Sequence, residues 1–486
     1  MDNIDTMIGE IKMVVRYKKF GKQKYAYEIW NEKDTNTGKW KQRSKYLGVV
    51  VDEKNGIYEK RNKIKQEQRE KEQKEQQILD YGDAYFFNEF INKDNFFVVL
   101  KNIFGENTDT LISLLLYKLT GGQALYNAEI WHDGNAANIL FPNAKMTSQQ
   151  LSEFLNVIGK ERLQREFFKA YIDSTCGEKA SIIIDSTGLE NQINMPITAW
   201  GHHDGSIEME TRLILAVCKE TKMPLYFRYV AGNIGDVSTL ITTLKEISKF
   251  GVIPSISIVD AGYFSEANIK ALYDFGVSFL TRMPSGRVIY KQLINEHTAN
   301  IETKENAVIY GERGLFIHKQ KINLYEHEAY AYIVCDPVRR GREISKKILD
   351  VENKNNNFEL QNCGMMVLVS NEDMPVNEVI PLYYSRQTAE QLFGIAKSDL
   401  NILPLRTHSE ARFRGLMLLA FIALIIYTKL KNVLIKDSTV EQLLSLMRNL
   451  KCKVFDGNIL VPSEVNKKQR LAFEAANILV PKNNGV

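Results

Sequence analysis

The spacing of apolar and polar residues changes several times along the chain, and each change predicts a structural boundary. Residues 24–50 alternate apolar and polar positions around a turn at Asn36-Thr37-Gly38, so "KYAYEIW" and "YLGVVV" are predicted strands of a small β module. Residues 57–79 carry charged or amide side chains on nearly every face. This pattern is typical of a solvated helix, here acting as a spacer.

Residues 81–175 have helical spacing, with Leu111, Leu114, Leu115 and Leu119 on one helix face. Thr147-Ser-Gln-Gln150 fits a capping box, and Gly159 separates the helix it opens from a second helix predicted over 160–172. Two short helices around a glycine turn can form a helix-turn-helix, although ordinary helical packing is the commoner arrangement. The stretch is therefore a candidate DNA-binding domain.

After residue 176 the pattern predicts strands alternating with helices. Two apolar runs, 181–184 and 255–259, end at Asp185 and Asp260 respectively. The remaining predicted strands are 210–218, 224–231 and 277–281, and the predicted helices are 236–249 and 265–275. The order β-β-β-α-β-α-β indicates an α/β fold, a mixed sheet with helices packed on it.

The last two fifths of the chain change pattern again. "NAVIY", "GLFIHK", "EAYAYIVC" and "GMMVLVS" predict an all-β insertion over 286–375. Helical patterning returns over 376–435, where the twelve apolar residues Leu416–Tyr427 predict a buried core helix, since a membrane span needs about 20. The predicted segments are a basic β module (1–56), a charged helical spacer (57–80), a helical domain (81–175), two core parts (176–285 and 376–435) around the β insertion (286–375), and a mostly helical tail (436–486).

Composition excludes several classes of protein. The 486 residues are 44% apolar and 25% charged, which are ordinary globular values. The five cysteines form no CxxC pair, which argues against a zinc ribbon or a disulfide scaffold. The chain has neither a Walker A string nor an HExxH motif, which argues against a P-loop enzyme or a zincin. The polar N-terminus lacks the apolar core of a signal peptide, which favours a cytoplasmic protein.

The positive charge is concentrated near the N-terminus. Residues 11–50 carry eleven Lys or Arg against three Asp or Glu, a net charge of +8, while the whole chain carries +4. Basic segments that also contain aromatic residues are typical of nucleic-acid binding. Residues 1–56 are therefore predicted to bind DNA outside the catalytic site, with dimerisation or packing as the alternative.

Three acidic residues are candidates for catalysis. Asp185 and Asp260 each follow a strand, where two carboxylates repel each other unless a cation lies between them. For either aspartate alone, a turn or a helix cap is the commoner role. In "YYSRQTAEQLFGIAK" the offsets of Tyr383, Arg386, Glu390 and Lys397 predict one face of a single helix. Such a face suits a phosphodiester held against a hard cation such as Mg²⁺.

With these motifs in order, residues 180–430 resemble insertion-sequence DDE transposases of the Y-R-E-K signature group, that is, insertion sequence number four and its relatives. "IIIDST" resembles the first acidic motif of that family, "GNIGDVSTL" the loop after its third strand, and "IVDAGYFS" its second acidic motif. The residues Tyr383, Arg386, Glu390 and Lys397 match the signature at every spacing.

The resemblance implies an RNase H-like core in which Asp185, Asp260 and Glu390 are catalytic and ligate two Mg²⁺ ions, with Mn²⁺ as a substitute. One ion would activate water or a 3′-OH and the other would stabilise the leaving oxygen, about 4 Å away. Tyr383 and Arg386 would contact phosphate near the transposon end, and Lys397 the neighbouring backbone. The implied partners are transposon-end and target DNA, with two protein copies holding the two ends and no membrane.

The chain departs from this family at one point. Some relatives stack a flipped base on a Trp of the β insertion, whereas all four Trp residues here lie outside 286–375. Tyr290, Tyr310 or Tyr325 would have to stack instead, so release through a DNA hairpin does not follow from the sequence.

Other residues near predicted strand ends have competing roles. Asp236 fits a helix N-cap, and adjacent rings at His202 and His203 fit a surface pair better than a metal site. Three more positions remain open between site and surface roles: Asn233, His408 and Arg412. A catalytically silent DNA-binding protein and an RNase H-like nuclease without strand transfer are the alternative functions.

Overall fold

The computed structural model describes residues 13–21, 23–33, 38–60, 77–122, 124–177, 179–203, 206–351, 360–403, 405, 407, 409–434, 438–455 and 459–482. The chain divides into two units. The smaller comprises residues 1–79, 452–463 and 483–486, and the larger comprises 80–451 and 464–482.

The smaller unit is built from strands. An antiparallel four-stranded sheet follows chain order, with β1 (Val14–Phe20), β2 (Gln23–Lys33), β3 (Trp40–Asp52) and β4 (Ile57–Glu59). The two predicted strands of the β module are therefore confirmed, while residues 36 and 37 of the predicted turn lie outside the described residues. A second sheet joins β5 (Gln77–Asp80) to two strands of the C-terminal tail.

The predicted helical spacer over 57–80 needs correction at both ends. Residues 57–59 and 77–80 are strands, because their alternating apolar residues pair with neighbouring strands and tertiary pairing overrides the local charge pattern. Residues 61–76, the rest of the predicted spacer, lie outside the described part of the chain.

The larger unit begins with the helical domain. Its helices are α1 (Gly82–Asn92), α2 (Asn95–Phe104), α3 (Thr108–Leu119), α4 (Ala128–Asp133), α5 (Ala137–Leu140), α6 (Ser148–Ile158) and α7 (Glu161–Thr175). The capping box at Thr147 is confirmed, since its side chain and that of Gln150 bond each other's backbone. The helix pair α6 and α7 exists as predicted, and its contact with DNA stays a prediction.

A ten-stranded mixed sheet forms the centre of the larger unit. Its core strands are β6 (Lys179–Glu190), β7 (Ala199–His203), β8 (Ser206–Cys218), β9 (Pro224–Ala231), β10 (Ile253–Val259) and β11 (Ser278–Arg282). β6 pairs antiparallel with β8 and parallel with β10, and β10 pairs parallel with β11. Helices α8 (Leu240–Lys249) and α9 (Glu266–Asp274) connect these strands. The predicted α/β fold class, a mixed sheet with helices packed on it, is confirmed, and β7 is an additional strand.

The insertion over 286–375 is neither all-β nor separate, which corrects the prediction. Its four predicted strands are present as β12 (Ala307–Tyr310), β13 (Arg313–Leu324), β14 (His327–Cys335) and β15 (Met365–Ser370), but β15 pairs with β11 and extends the central sheet. Two helices, α10 (Val288–His297) and α11 (Pro337–Val351), accompany them. In α10, Tyr290, Leu293 and Ile294 are buried at helical spacing.

The C-terminal part carries α12 (Val376–Tyr384), α13 (Gln387–Ser398), α14 (Glu410–Lys431), α15 (Val440–Arg448), β16 (Lys451–Phe455), β17 (Ile459–Pro462) and α16 (Lys467–Ala475). The two tail strands were not predicted. α14 is the one described helix long and apolar enough to cross a membrane, yet 78% of its apolar window is buried. It is the predicted core helix, and Gly159 and Gly415 bring its backbone close to α6.

Candidate active site

The register of the central sheet brings Asp185 and Asp260 together. Ile184 is the last residue of β6 that pairs with β10, and its partner is Val259. The next residue on each strand is therefore an aspartate. Asp185 was predicted to end its strand, but β6 continues to Glu190 because it pairs with β8. Asp260 does follow the end of β10.

Three carboxylates converge on one guanidinium. Arg386 donates through Nη1 to Asp185 Oδ2 at 2.7 Å, and its Nη2 lies 2.9 Å from Glu390 Oε1 and 3.9 Å from Asp260 Oδ1. Burial opposes the charge of Arg386, but Asp185 and Asp260 outweigh it and raise its pKa. The Arg386 side chain thus supplies the positive charge that neighbouring carboxylates require.

Asp185 is the buried member of the three. Its side chain is 12% exposed, against 39% for Asp260 and 50% for Glu390. Burial raises the pKa of Asp185 to about 7, and Arg386 opposes this shift only in part. The backbone N–H of Ser186 also donates to its Oδ1 at 3.0 Å. Near neutral pH this carboxyl group is therefore only partly ionised.

The signature residues do not lie on one continuous helix, which corrects the prediction. α12 ends at Tyr384 and α13 begins at Gln387, because Ser385 and Arg386 make short turn bonds to Leu382 and Tyr383 respectively. The Ser385 hydroxyl also donates to the carbonyl of Leu382 at 2.6 Å. Although the helix is interrupted between α12 and α13, all four signature side chains still reach the site.

Tyr383 and Lys397 hold the two sides of the cluster. The Tyr383 hydroxyl donates to Asp260 Oδ1 at 2.9 Å, and burial followed by the charge of Asp260 raises the pKa of this phenol. The Lys397 ammonium donates to Thr187 Oγ1 at 2.8 Å, two residues beyond Asp185 on the same side of β6. In this structure these groups contact protein, so a phosphate contact would require them to exchange partners.

A second polar network beneath the site was missed from the sequence. Asp236 was predicted to cap its helix, but it does not. Its Oδ1 accepts from Ser186 Oγ at 2.6 Å and from Arg212 Nη1 at 3.0 Å. Arg212 Nη2 also donates to Glu210, at 3.3 Å. The available signal was the pair of charged residues in the otherwise apolar run "ETRLILAVC". Through Ser186, this network adjoins Asp185.

Glu210 lies in a cradle of three glycines. A Cβ atom on Gly188 or Gly201 would come within 2.0 Å of a Glu210 carboxylate oxygen, and one on Gly232 would come 2.7 Å from its side chain. Glu210 itself is 1% exposed. Only glycine fits at these three positions, because the Glu210 side chain comes so close to their backbone. The buried Glu210 carboxylate can then accept a hydrogen bond from Arg212.

The tyrosines proposed for base stacking, and the remaining histidine candidates, lie elsewhere than the predicted roles require or outside the described residues. Tyr290 was one of three candidates for stacking on a base. It is buried and its hydroxyl donates to the Met365 carbonyl, so its ring is not accessible to a base. Tyr310 stacks on Tyr384, and Tyr325 lies at a hairpin turn beside Phe264. His408 lies outside the described residues, as do the side chains of His202 and His203.

The three carboxylates offer only hard oxygen donors, which suit Mg²⁺. Within the described residues there is no group of three His, Cys, Asp or Glu already spaced to hold a metal ion, since the Arg386 guanidinium lies among the acids. Asp185, Asp260 and Glu390 are therefore the residues that could hold a divalent cation.

Fold and cluster together define an α/β domain with three carboxylates gathered at the edge of paired core strands. The chain belongs to the family described as "Transposase DDE domain", whose model matches residues 177–426, just over half of the sequence. No curated protein has a sequence that matches this chain. Among solved structures it is similar to the piggyBac transposase in a synaptic complex with hairpin DNA, at 12% identity and a TM-score of 0.40, over 76% of this chain and 79% of that chain.

Proposed function

We propose that the protein is a Mg²⁺-dependent transposase of the Y-R-E-K signature group. It binds the terminal inverted repeats of its element, cleaves the ends and joins 3′-OH ends to target DNA. The observation that carries this proposal is the convergence of Asp185, Asp260 and Glu390 on Arg386, which brings both acidic motifs together with the signature residues.

Each side chain takes a defined part in this proposal. Asp185, Asp260 and Glu390 would hold two Mg²⁺ ions, which when bound supply Lewis-acid stabilisation for phosphoryl transfer. Tyr383 keeps Asp260 in place through its hydroxyl. Arg386 leaves the carboxylates and pairs with a DNA phosphate, whose planar bidentate geometry suits a guanidinium. Lys397 exchanges Thr187 for the neighbouring phosphate.

Binding and chemistry are proposed to use separate surfaces. Residues 1–56 contribute much of the affinity for the transposon end, because residues 11–50 within them carry a net charge of +8 while the rest of the chain carries −4. Two copies of the protein hold the two ends in the DNA complex. The enzyme acts in the cytoplasm, on the DNA of a bacterial nucleoid.

The test is a set of neutral substitutions at the three acids. Asp185→Asn, Asp260→Asn and Glu390→Gln should each abolish cleavage of DNA carrying the element's ends, because each removes a metal ligand. Gel-shift binding should remain, since phosphate contacts by Lys and Arg supply it. Asp274→Asn, an exposed acid in the same unit, is the matched control and should cleave normally. Normal cleavage by any of the three acid variants would refute the proposed site.

Two further measurements separate this function from its alternatives. Incubation of pre-cleaved ends with plasmid should give joined products; cleavage without joining would indicate a nuclease. Fe²⁺ with peroxide, in place of Mg²⁺, should cut the polypeptide near residues 185, 260 and 390, which locates the ions without an activity assay. Cuts elsewhere would place the metal at another site.

A further inference from the structure

The antiparallel sheet of the smaller unit has two chemically different faces. Side chains at alternate positions of a strand lie on opposite faces. The register pairs Arg16 with Tyr27 and Lys18 with Tyr25, and a bulge after Ala26 pairs Tyr27 with Tyr46. These residues therefore share one face, which we call the tyrosine face: Arg16, Lys18, Phe20, Tyr25, Tyr27 and Tyr46.

Ring contacts verify this assignment. The Tyr46 ring lies 5.4 Å from that of Tyr27 and 6.3 Å from that of Tyr25, and Phe20 lies 5.9 Å from Tyr25. The Lys18 ammonium lies over the Tyr27 ring at 5.4 Å. The rings thus form a continuous platform with cations along one side.

The platform is open within its unit. Phe20 is 60% and Tyr46 43% exposed. Exposed rings that lie next to one another, unlike scattered ones, are typical of interaction sites. Among the described residues of strands β1 to β3, the register places one acid on this face, Asp52, which pairs with Ile57 at the end of β3. Glu59 lies at the far edge on β4. The opposite face mixes Lys19, Lys41, Arg43 and Lys45 with Glu28 and Glu32.

We propose that the tyrosine face binds a strand of DNA with unstacked bases. Exposed rings stack on bases of any sequence, and cations beside them neutralise the phosphates. A face whose acids lie only at its far edge complements a polyanion better than one on which carboxylates alternate with lysines, since Arg43 on the opposite face already pairs with Glu32 at 3.3 Å. The DNA partner rests on the proposed function; the choice of face rests on the sheet.

The chain offers a matched pair of variants. Arg16→Gln with Lys18→Gln removes two charges from the tyrosine face, and Lys19→Gln with Lys45→Gln removes two from the opposite face of the same sheet. All four residues are exposed, and the change in net charge is identical. A third variant, Phe20→Leu with Tyr46→Leu, removes rings but no charge.

Binding of the full-length protein to a fluorescent 20-nucleotide DNA would be measured by anisotropy, as single strand and as duplex, in EDTA at several salt concentrations. The tyrosine-face charge variant should bind the single strand at least about tenfold more weakly, and its salt slope should fall by about 1.4. The opposite-face variant should change affinity less than about threefold. The ring variant should weaken single-strand binding at least about fivefold.

Three results would overturn the proposal: an equal or larger effect of the opposite-face variant, wild-type affinity of the ring variant, or losses confined to the duplex. Lysine modification of the unaltered protein provides a check that needs no variant to fold. DNA should protect Lys18 and leave Lys19 and Lys45 reactive; the reverse pattern would refute the assignment. Because EDTA removes the metal, this outcome is independent of whether the acid variants abolish cleavage.

Discussion

The raised pKa of Asp185 makes the stability of the larger unit depend on pH in a specific direction. The folded protein keeps this proton up to a pKa of about 7, whereas an unfolded aspartic acid loses it near 3.8. The stabilisation from the bound proton is therefore complete below about pH 4 and is lost as pH rises through 7. A shift of about three pKa units corresponds to about 4 kcal/mol.

Substitution of Asp185 by Asn removes this dependence. The variant should gain about 4 kcal/mol relative to wild type between about pH 4 and pH 8, because Asn has no proton to lose. The charge of Arg386 already contributes to the Asp185 pKa of about 7, and the remaining difference between Asn and neutral Asp does not depend on pH, so only the change with pH matters. For a unit of this size the expected change is roughly 5 °C in melting temperature.

The assay is thermal unfolding of both proteins in half-unit pH steps without divalent ions. Asp274→Asn serves as the control, since its carboxylate is exposed, and its difference from wild type should stay constant. A constant difference for Asp185→Asn would contradict burial of this carboxyl group. If instead the wild type became more stable relative to the variant as pH rises, the charge of Arg386 would outweigh burial in setting the pKa of Asp185.

Three other predictions concern neighbouring contacts. Arg386→Met should destabilise by about 3–5 kcal/mol at pH 8 by leaving Asp185 charged and unpaired, and less at pH 6; equal losses in denaturant titrations at both would contradict this. Gly188→Ala places a Cβ 1.8 Å from Glu210 Oε2 and should cost about 1–3 kcal/mol. Adding Glu210→Ala should recover part of that loss, and strict additivity would argue against the clash. Thr147→Val loses the cap bond from Gln150 and should lower stability by about 1 kcal/mol; an unchanged unfolding midpoint would show that the cap adds nothing.

Much of the core could be predicted because periodicity and strand ends are local signals. The apolar runs before Asp185 and Asp260 are short and bounded, so their strands were identified and the acids were expected to be neighbours. The sheet then supplied what periodicity lacks: the pairing of Ile184 with Val259, which sets the two aspartates side by side.

The errors arose where a distant partner decides the structure. Residues 57–59 and 77–80 form strands because other strands pair with them. Asp236 looked like a cap because caps are local, whereas its partners Ser186 and Arg212 are 50 and 24 residues away. The break at Ser385 was hidden because the signature spacing also fits one uninterrupted helix.

That break divides the residues that position the three acids. Asp185 lies in the hydrogen-bonded sheet and Asp260 directly follows the last pair of β10, so the sheet sets the separation of these two aspartates. Tyr383 belongs to the packed α12 and donates to Asp260. Glu390 lies beyond Ser385 on α13, which buries Ala389, Leu392 and Phe393. The packing of a separate helix therefore positions the third acid, whereas the sheet positions the first two.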